Sequence, residues 1–160
     1  MNALKWILFT VVVFLLQTQC SFLRNFSNLT VILVYYFGLK SYQRNSDRDY
    51  SGSKSEFESV AFGVIIGLME DVISGSVIGP GLLSKGLLGL MTPVVFTDMI
   101  FKWTPLWGIA IVVIFTLFDG VVVAGSRIMF TGIHVTGALL LQAMCVQSLM
   151  NIPFGIILRP

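Results

Sequence analysis

The stretch FESVAFGVIIGLMEDVISGSVIGPGLLSKGLLGLM, residues 57–91, decides how the rest of the chain must fold. It is apolar enough to lie in a bilayer, yet Glu70 and Asp71 stand side by side near its middle. A carboxylate inside lipid costs about 2.5–3.5 kcal/mol on insertion scales. We therefore expect the other parts of the chain to shelter these two acids from lipid.

Small residues recur at intervals of four in the same stretch, with an acid at the central position: Gly63, Gly67, Asp71, Gly75 and Gly79. On a helix this spacing forms one ridge, which a second helix can approach closely. Glycine pairs of this kind are common in membrane helices. Packing within the chain is therefore the default expectation, and dimerisation is not implied.

Composition places the chain in a membrane. Of 160 residues, 56% are hydrophobic and 11% are charged, and the mean hydropathy is +0.89. Average globular domains carry about 25% charged residues. With about 20 residues for each spanning helix, the spans use most of the chain and leave no room for a soluble catalytic domain. The net charge of +2 is too small to suggest nucleic-acid binding.

The hydropathy pattern predicts an all-α fold with six transmembrane helices in a single domain, residues 1–160. Five spans result if the short second run does not cross the bilayer. The apolar runs cover residues 4–20, 29–39, 58–74, 82–101, 108–124 and 128–158, the last broken by Pro153. Turns are predicted at residues 75–81 and 125–127. A hydrophilic segment, residues 40–58, is predicted to be a solvated cytoplasmic connector.

The basic residues indicate an orientation. With six spans and a cytoplasmic N-terminus, seven basic residues lie inside and two or three outside, as the positive-inside rule requires. Those inside are Lys5, Lys40, Arg44, Arg48, Lys54, Lys102 and Arg159.

Three interpretations of Glu70 and Asp71 stay open. The two acids could anchor a structural hydrogen-bond network, line a ligand cavity or a partner's helix, or belong to a proton or ion relay. The candidate network partners are Ser74, Ser76, Ser84 and Lys85. Lys85 either pairs with one of the acids or extends to the membrane surface.

The remaining polar residues give no support for catalysis. Asp119, near the end of an apolar run, is expected to meet water or to cap a neighbouring backbone. His134 has no second His or Cys at ligand spacing, so no metal site is expected. No catalytic triad, zinc-protease motif or phosphate-binding loop is present. We therefore expect no enzymatic activity and no cofactor.

One segment resembles a known signature. Residues 62–75, FGVIIGLMEDVISG, followed by Ile78-Gly79 and Leu83-Ser84-Lys85, resemble the signature of the bacterial MreD family. That signature is a G-x-x-x-G-L stretch with an acid three residues later, then glycines and a Leu-Ser run. The polar residue Asn28 before a short second span is also similar. The family often has Gln where this chain has Glu70, so Asp71 matches the family's acidic position more securely.

The resemblance implies a non-enzymatic component of the rod, or elongation, machinery in a bacterial inner membrane. MreD proteins act beside MreC, in an assembly that links MreB filaments to the glycosyltransferase RodA and its transpeptidase partner. Their fold is thought to resemble the six-helix S-components of ECF transporters, which implies a cavity for a membrane lipid or another small ligand. The candidate structural or partner-contact residues are Gly63, Gly67, Glu70, Asp71, Gly75, Gly79, Ser84 and Lys85.

The alternative is an S-component-like substrate-binding subunit of a transporter. S-components commonly use small residues in the first helix to meet their ATPase module. Residues 7–16 here, ILFTVVVFLL, are bulky, which argues against this alternative.

Overall fold

The computed structural model describes residues 3–19, 28–46, 53–75, 77–96, 104–132 and 137–158. Within these ranges all regular structure is helical, so the prediction of an all-α fold with six helices is confirmed. The helices are α1 (Ala3–Gln19), α2 (Leu29–Ser46), α3 (Ser53–Ser74), α4 (Pro80–Val94), α5 (Pro105–Thr131) and α6 (Gly137–Ile157).

Fewer helices meet the criteria for crossing a membrane than the six that were predicted to do so. Among the described helices, α5 and α6 are long and apolar enough to cross a membrane, and α1 is apolar but shorter. Two such helices are weak support by themselves, because core helices of soluble proteins and signal sequences meet the same criteria.

The hydrophilic connector is shorter than the predicted 40–58. Helix α2 continues to Ser46 and α3 begins at Ser53. The polar residues there form helix ends: the Arg44 guanidinium pairs with the Glu58 carboxylate, and Ser41 Oγ donates to the same carboxylate at 2.8 Å. These cross-helix contacts give the polar side chains partners, so the backbone stays helical beyond the apolar run. Residues 47–52 lie outside the described ranges.

The predicted turn at residues 125–127 is wrong, because α5 runs through it to Thr131. The helix ends instead at Gly132, whose φ of 66° is the left-handed conformation in which glycine closes a helix. Gly125, by contrast, is an ordinary helical residue. The predicted break at Pro153 is also wrong: α6 continues to Ile157, since a proline this close to the helix end removes only one late backbone hydrogen bond.

Helices α3 and α4 form the most closely packed pair. A Cβ on Gly63 would overlap the backbone carbonyl of Lys85, and one on Gly67 would overlap that of Gly81. From the other side, a Cβ on Gly89 would overlap the carbonyl of Ser59. The two backbones are therefore in direct contact along the first half of the predicted glycine ridge.

The second half of that ridge is not helical, as the turn predicted at residues 75–81 requires. Helix α3 ends at Ser74, and Gly75 and Gly79 lie in the turn before α4 with φ values of 61° and 142°. Both values favour glycine over residues that carry a Cβ. The turn reverses the chain and lays α4 back along α3.

Helix α2 lies at the centre of the bundle. Val31, Leu33, Val34 and Tyr35 are all buried and belong to one hydrophobic core with residues of α1, α3, α4 and α5. α2 contacts α1, α3, α4, α5 and α6. Its N-terminal end, which carries Asn28, is therefore surrounded by the other helices.

Candidate functional site

Asp71 closes the α3–α4 hairpin by capping α4. Its Oδ2 accepts hydrogen bonds from the backbone N–H of Gly79 at 2.8 Å and of Leu82 at 3.2 Å, and its Oδ1 accepts from Gly81 N–H at 2.9 Å. The first N–H groups of a helix have no partner within the helix, and the dipole there favours a negative charge. Pro80 is the first residue of α4, where a missing N–H costs nothing.

Lys85 lies at the centre of a buried charge cluster. Its side chain is 0% exposed, and its Nζ lies 2.7 Å from Asp119 Oδ1 and 3.1 Å from Glu70 Oε2. Of the two alternatives for Lys85, pairing with an acid is the one the structure adopts. The expectation that Asp119 meets water or caps a backbone is wrong: it is 2% exposed and is the closer partner of Lys85.

Hydroxyl and amide groups complete the cluster. Asn28 Nδ2 donates to Asp119 Oδ2 at 2.6 Å, and Ser84 Oγ donates to Asp119 Oδ1. Thr30 Oγ1 lies 2.7 Å from Asn28 Oδ1 and 2.8 Å from Glu70 Oε2. Because a hydroxyl has one proton, Thr30 donates to one of these oxygens at a time.

These six residues, the polar cluster, join four helices through polar contacts. They are Asn28 just before α2, Thr30 on α2, Glu70 on α3, Ser84 and Lys85 on α4, and Asp119 on α5. In low dielectric such contacts are strong when complete, and the loss of one member leaves the others costly to bury.

The predicted site residues thus separate into three groups. Gly63 and Gly67 pack against α4, and Asp71 and Gly79 form the cap. Glu70, Ser84 and Lys85 belong to the polar cluster. Gly75 belongs to none of the three groups, and a Cβ there would meet nothing within 4 Å. Ser74 Oγ donates to the Asp71 backbone carbonyl. Ser76 lies outside the described residues.

Sequence reasoning missed Asn28, Thr30 and Asp119 as site residues. A signal for Asp119 was present, because an acid within an apolar run needs a partner and Lys85 is a cation within another apolar run. Asn28 and Thr30 gave no comparable signal, since short polar side chains are common where a helix begins.

A cavity of about 690 Å³ opens beside the polar cluster. Glu70, Asp71, Asp119 and Asn28 line its polar side. Its apolar walls come from α1, α5 and α6, and include Phe14, Val123, Ala124, Leu139, Leu140, Ala143 and Met144. Arg127, Gln17, Thr18 and Gln147 are further polar residues in the lining. The arrangement suits a ligand with both apolar and charged parts.

Among the residues that the structure describes, there is no group of three or more His, Cys, Asp or Glu side chains that could hold a metal ion. His134 lies outside that part.

The chain matches no protein-family model, no curated protein and no solved structure. The resemblance to the MreD family therefore rests on the residues quoted from the sequence.

Proposed function

We propose that this protein is a non-enzymatic scaffold of the bacterial elongation complex, located in the inner membrane, and that it binds MreC. One observation carries the proposal: the residues that resemble the MreD signature form a single structural unit. Gly63 and Gly67 bring α3 and α4 together, Asp71 closes the turn between them, and Lys85 ties the pair to α5. In this proposal the protein associates with RodA, its transpeptidase partner and MreB indirectly, through the elongation complex.

The distribution of apolar side chains supports a membrane location. Large apolar residues are exposed on the outer faces of the helices, among them Leu8, Ile65, Leu90, Ile114 and Leu141, whereas Lys85 and Asp119 are buried inside. This is the arrangement that a protein surrounded by lipid requires, since charges inside lipid must be paired and shielded. The charge distribution along the sequence supports a cytoplasmic N-terminus.

The contact with MreC requires a surface that the chain leaves open. Gly63 and Gly67 are covered by α4, so the glycine ridge itself is not available to a partner. A groove of about 470 Å³ between α1, α2 and α3 is open, and Trp6, Phe37 and Ile65 line it. We assign MreC binding to this aromatic groove, because the groove is apolar and large enough to receive side chains of a partner's membrane helix.

Co-purification of MreC with the tagged protein from bacterial membranes tests this assignment. Ile65→Trp fills the groove, and we expect it to reduce the recovery of MreC by about tenfold, equivalent to about 1.4 kcal/mol of binding. Ile114→Trp is the matched control, since both isoleucines are 56% exposed and Ile114 lies on α5 away from the groove.

The outcomes test the aromatic groove and the scaffold function separately. Equal MreC recovery with both variants would remove the aromatic groove as the contact. Failure of the unaltered protein to recover MreC would contradict the scaffold proposal.

The second candidate function is an S-component-like substrate-binding subunit of a transporter, and the cavity of about 690 Å³ beside the polar cluster favours it. This candidate requires an associated ATPase module. Recovery of ATPase subunits instead of MreC in the same purification would favour it. The bulky, exposed Ile7, Leu8 and Leu16 on α1 argue against close docking of such a module there.

A further inference from the structure

The cavity lies at one end of the bundle. Its lining includes Thr18 near the end of α1, Glu70 near the end of α3 and Arg127 near the end of α5. It also includes Asn28 before α2 and Leu139 near the start of α6. Consecutive helices therefore alternate in direction here, and the cavity is at the end opposite the hydrophilic ends of α2 and α3. In a membrane, the ends of spanning helices lie at the depth of lipid headgroups.

The polar side of the cavity carries an excess of negative charge. Three carboxylates line the cavity, those of Glu70, Asp71 and Asp119. Asp71 accepts three backbone N–H groups at the start of α4, whereas Glu70 and Asp119 share one ammonium group, that of Lys85. Glu70 is the accessible member: its side chain is 27% exposed, and its contacts with Thr30 and Lys85 both use Oε2. An ammonium group that donates hydrogen bonds to this carboxylate would balance the charge.

A positive group lies farther along the same cavity. Arg127 follows Asp119 by eight residues on α5, about 12 Å along the helix axis. Helical side chains lean toward the N-terminus, so that of Arg127 leans toward Asp119. A guanidinium group binds phosphate through paired N–H donors. Between the two charged regions, Val123 and Leu140 contribute apolar wall.

We propose that the cavity binds a phospholipid whose headgroup carries a primary ammonium next to a phosphate. The ammonium donates to Glu70, the phosphate accepts from Arg127, and the acyl chains lie along the apolar wall formed by α5 and α6. This site goes beyond the scaffold function. It requires only the membrane location of that proposal and not the binding of MreC.

A headgroup series tests the proposal on the unaltered protein. The protein is purified in detergent, stripped of lipid and titrated with dioleoyl phosphatidylethanolamine, its mono- and dimethyl derivatives, phosphatidylcholine and phosphatidylglycerol, with bound copies counted by native mass spectrometry. We expect one tightly bound phosphatidylethanolamine, with affinity that falls as methyl groups replace N–H donors, by about tenfold over the series. Equal affinity for all five lipids, or no binding, would overturn the proposal.

Two substitutions test which side chain binds the ammonium and which binds the phosphate of the lipid. Glu70→Gln should bring the affinities for phosphatidylethanolamine and phosphatidylcholine close together, because the carboxylate partner of the ammonium is lost while Lys85 keeps Asp119. Arg127→Gln should weaken both lipids and preserve their ratio, because both carry the phosphate. Glu56→Gln is the matched control at the other end of α3, about 21 Å from Glu70 along the axis, and should change neither affinity.

Each result decides the question. An equal effect of Glu56→Gln and Glu70→Gln would mean general attraction of lipid to acidic residues and would overturn the proposal. If Glu70→Gln does not fold, the headgroup series on the unaltered protein still decides. Because MreC is absent from these titrations, failure here leaves the scaffold proposal untouched, and failure to recover MreC leaves this site untouched.

Discussion

At the scale of single residues, the neighbours Glu70 and Asp71 do different work. Asp71 accepts three backbone N–H groups at the start of α4 and holds a turn closed. Glu70 points about 100° away around the helix and meets Lys85 and Thr30 beside the cavity. Of the interpretations left open by the sequence, a structural network and a cavity wall both apply: Asp71 and Glu70 each have hydrogen-bond partners, and each lines the cavity.

Asp71→Leu should lower the free energy of unfolding by about 2–4 kcal/mol, because three N–H groups lose their acceptor. Asp71→Asn should cost about 1–2 kcal/mol, because the amide keeps one acceptor oxygen. Thermal denaturation in detergent measures both. Equal losses in the two variants would show that the negative charge at the helix N-terminus, rather than hydrogen bonding, is what matters.

Lys85→Met should lower the free energy of unfolding by about 3–5 kcal/mol, because it leaves Asp119 buried without a counter-charge. The double variant Lys85→Met with Asp119→Asn removes that charge and keeps oxygen and amide groups for Ser84 and Asn28. We expect it to unfold at a higher temperature than Lys85→Met alone, by the same denaturation measurement. A double variant less stable than the single one would show that the ion pair is not the reason for the loss.

At the scale of helices, the α3–α4 hairpin depends on glycine at the contact. The sequence located Gly63 and Gly67 on the correct face of α3, because a spacing of four defines one side of a helix. It also located the end of that helix, since the predicted span ends at Ser74 and the predicted turn covers residues 75–81. It did not show that the Asp71 carboxylate organises this turn by accepting backbone N–H groups within residues 79–82.

Gly67→Ala should lower the free energy of unfolding by about 1–3 kcal/mol, because the new methyl group overlaps the Gly81 carbonyl and pushes α4 away. Gly125→Ala is the matched control: a Cβ there meets nothing within 4 Å, and alanine in mid-helix stabilises by about 0.5–1 kcal/mol. Denaturation of the two variants side by side measures the difference. Equal stability would contradict the close backbone contact.

At the scale of the whole molecule, the bundle brings charges from different helices together: Glu70 near the end of α3, Lys85 in α4 and Asp119 in the middle of α5. Lys85 and Asp119 are thirty-four residues apart in sequence and 2.7 Å apart in space. The same convergence opens the cavity between α1, α5 and α6, with Glu70 on one side and Arg127 farther along. A single region thus combines fold stability, through the polar cluster, with room for a ligand.

The sequence by itself determined the helical class, the number of helices, the close approach at Gly63 and Gly67, and the need to shelter Glu70 and Asp71. These follow from apolar run length, glycine spacing and the cost of charge in lipid, all of which are local properties. Only the tertiary structure decided that Lys85 pairs with Asp119, that Asn28 and Thr30 join them, and that a cavity lies beside them. The partner of a buried charge is set by which helix faces which, and that arrangement depends on the packing of the whole bundle.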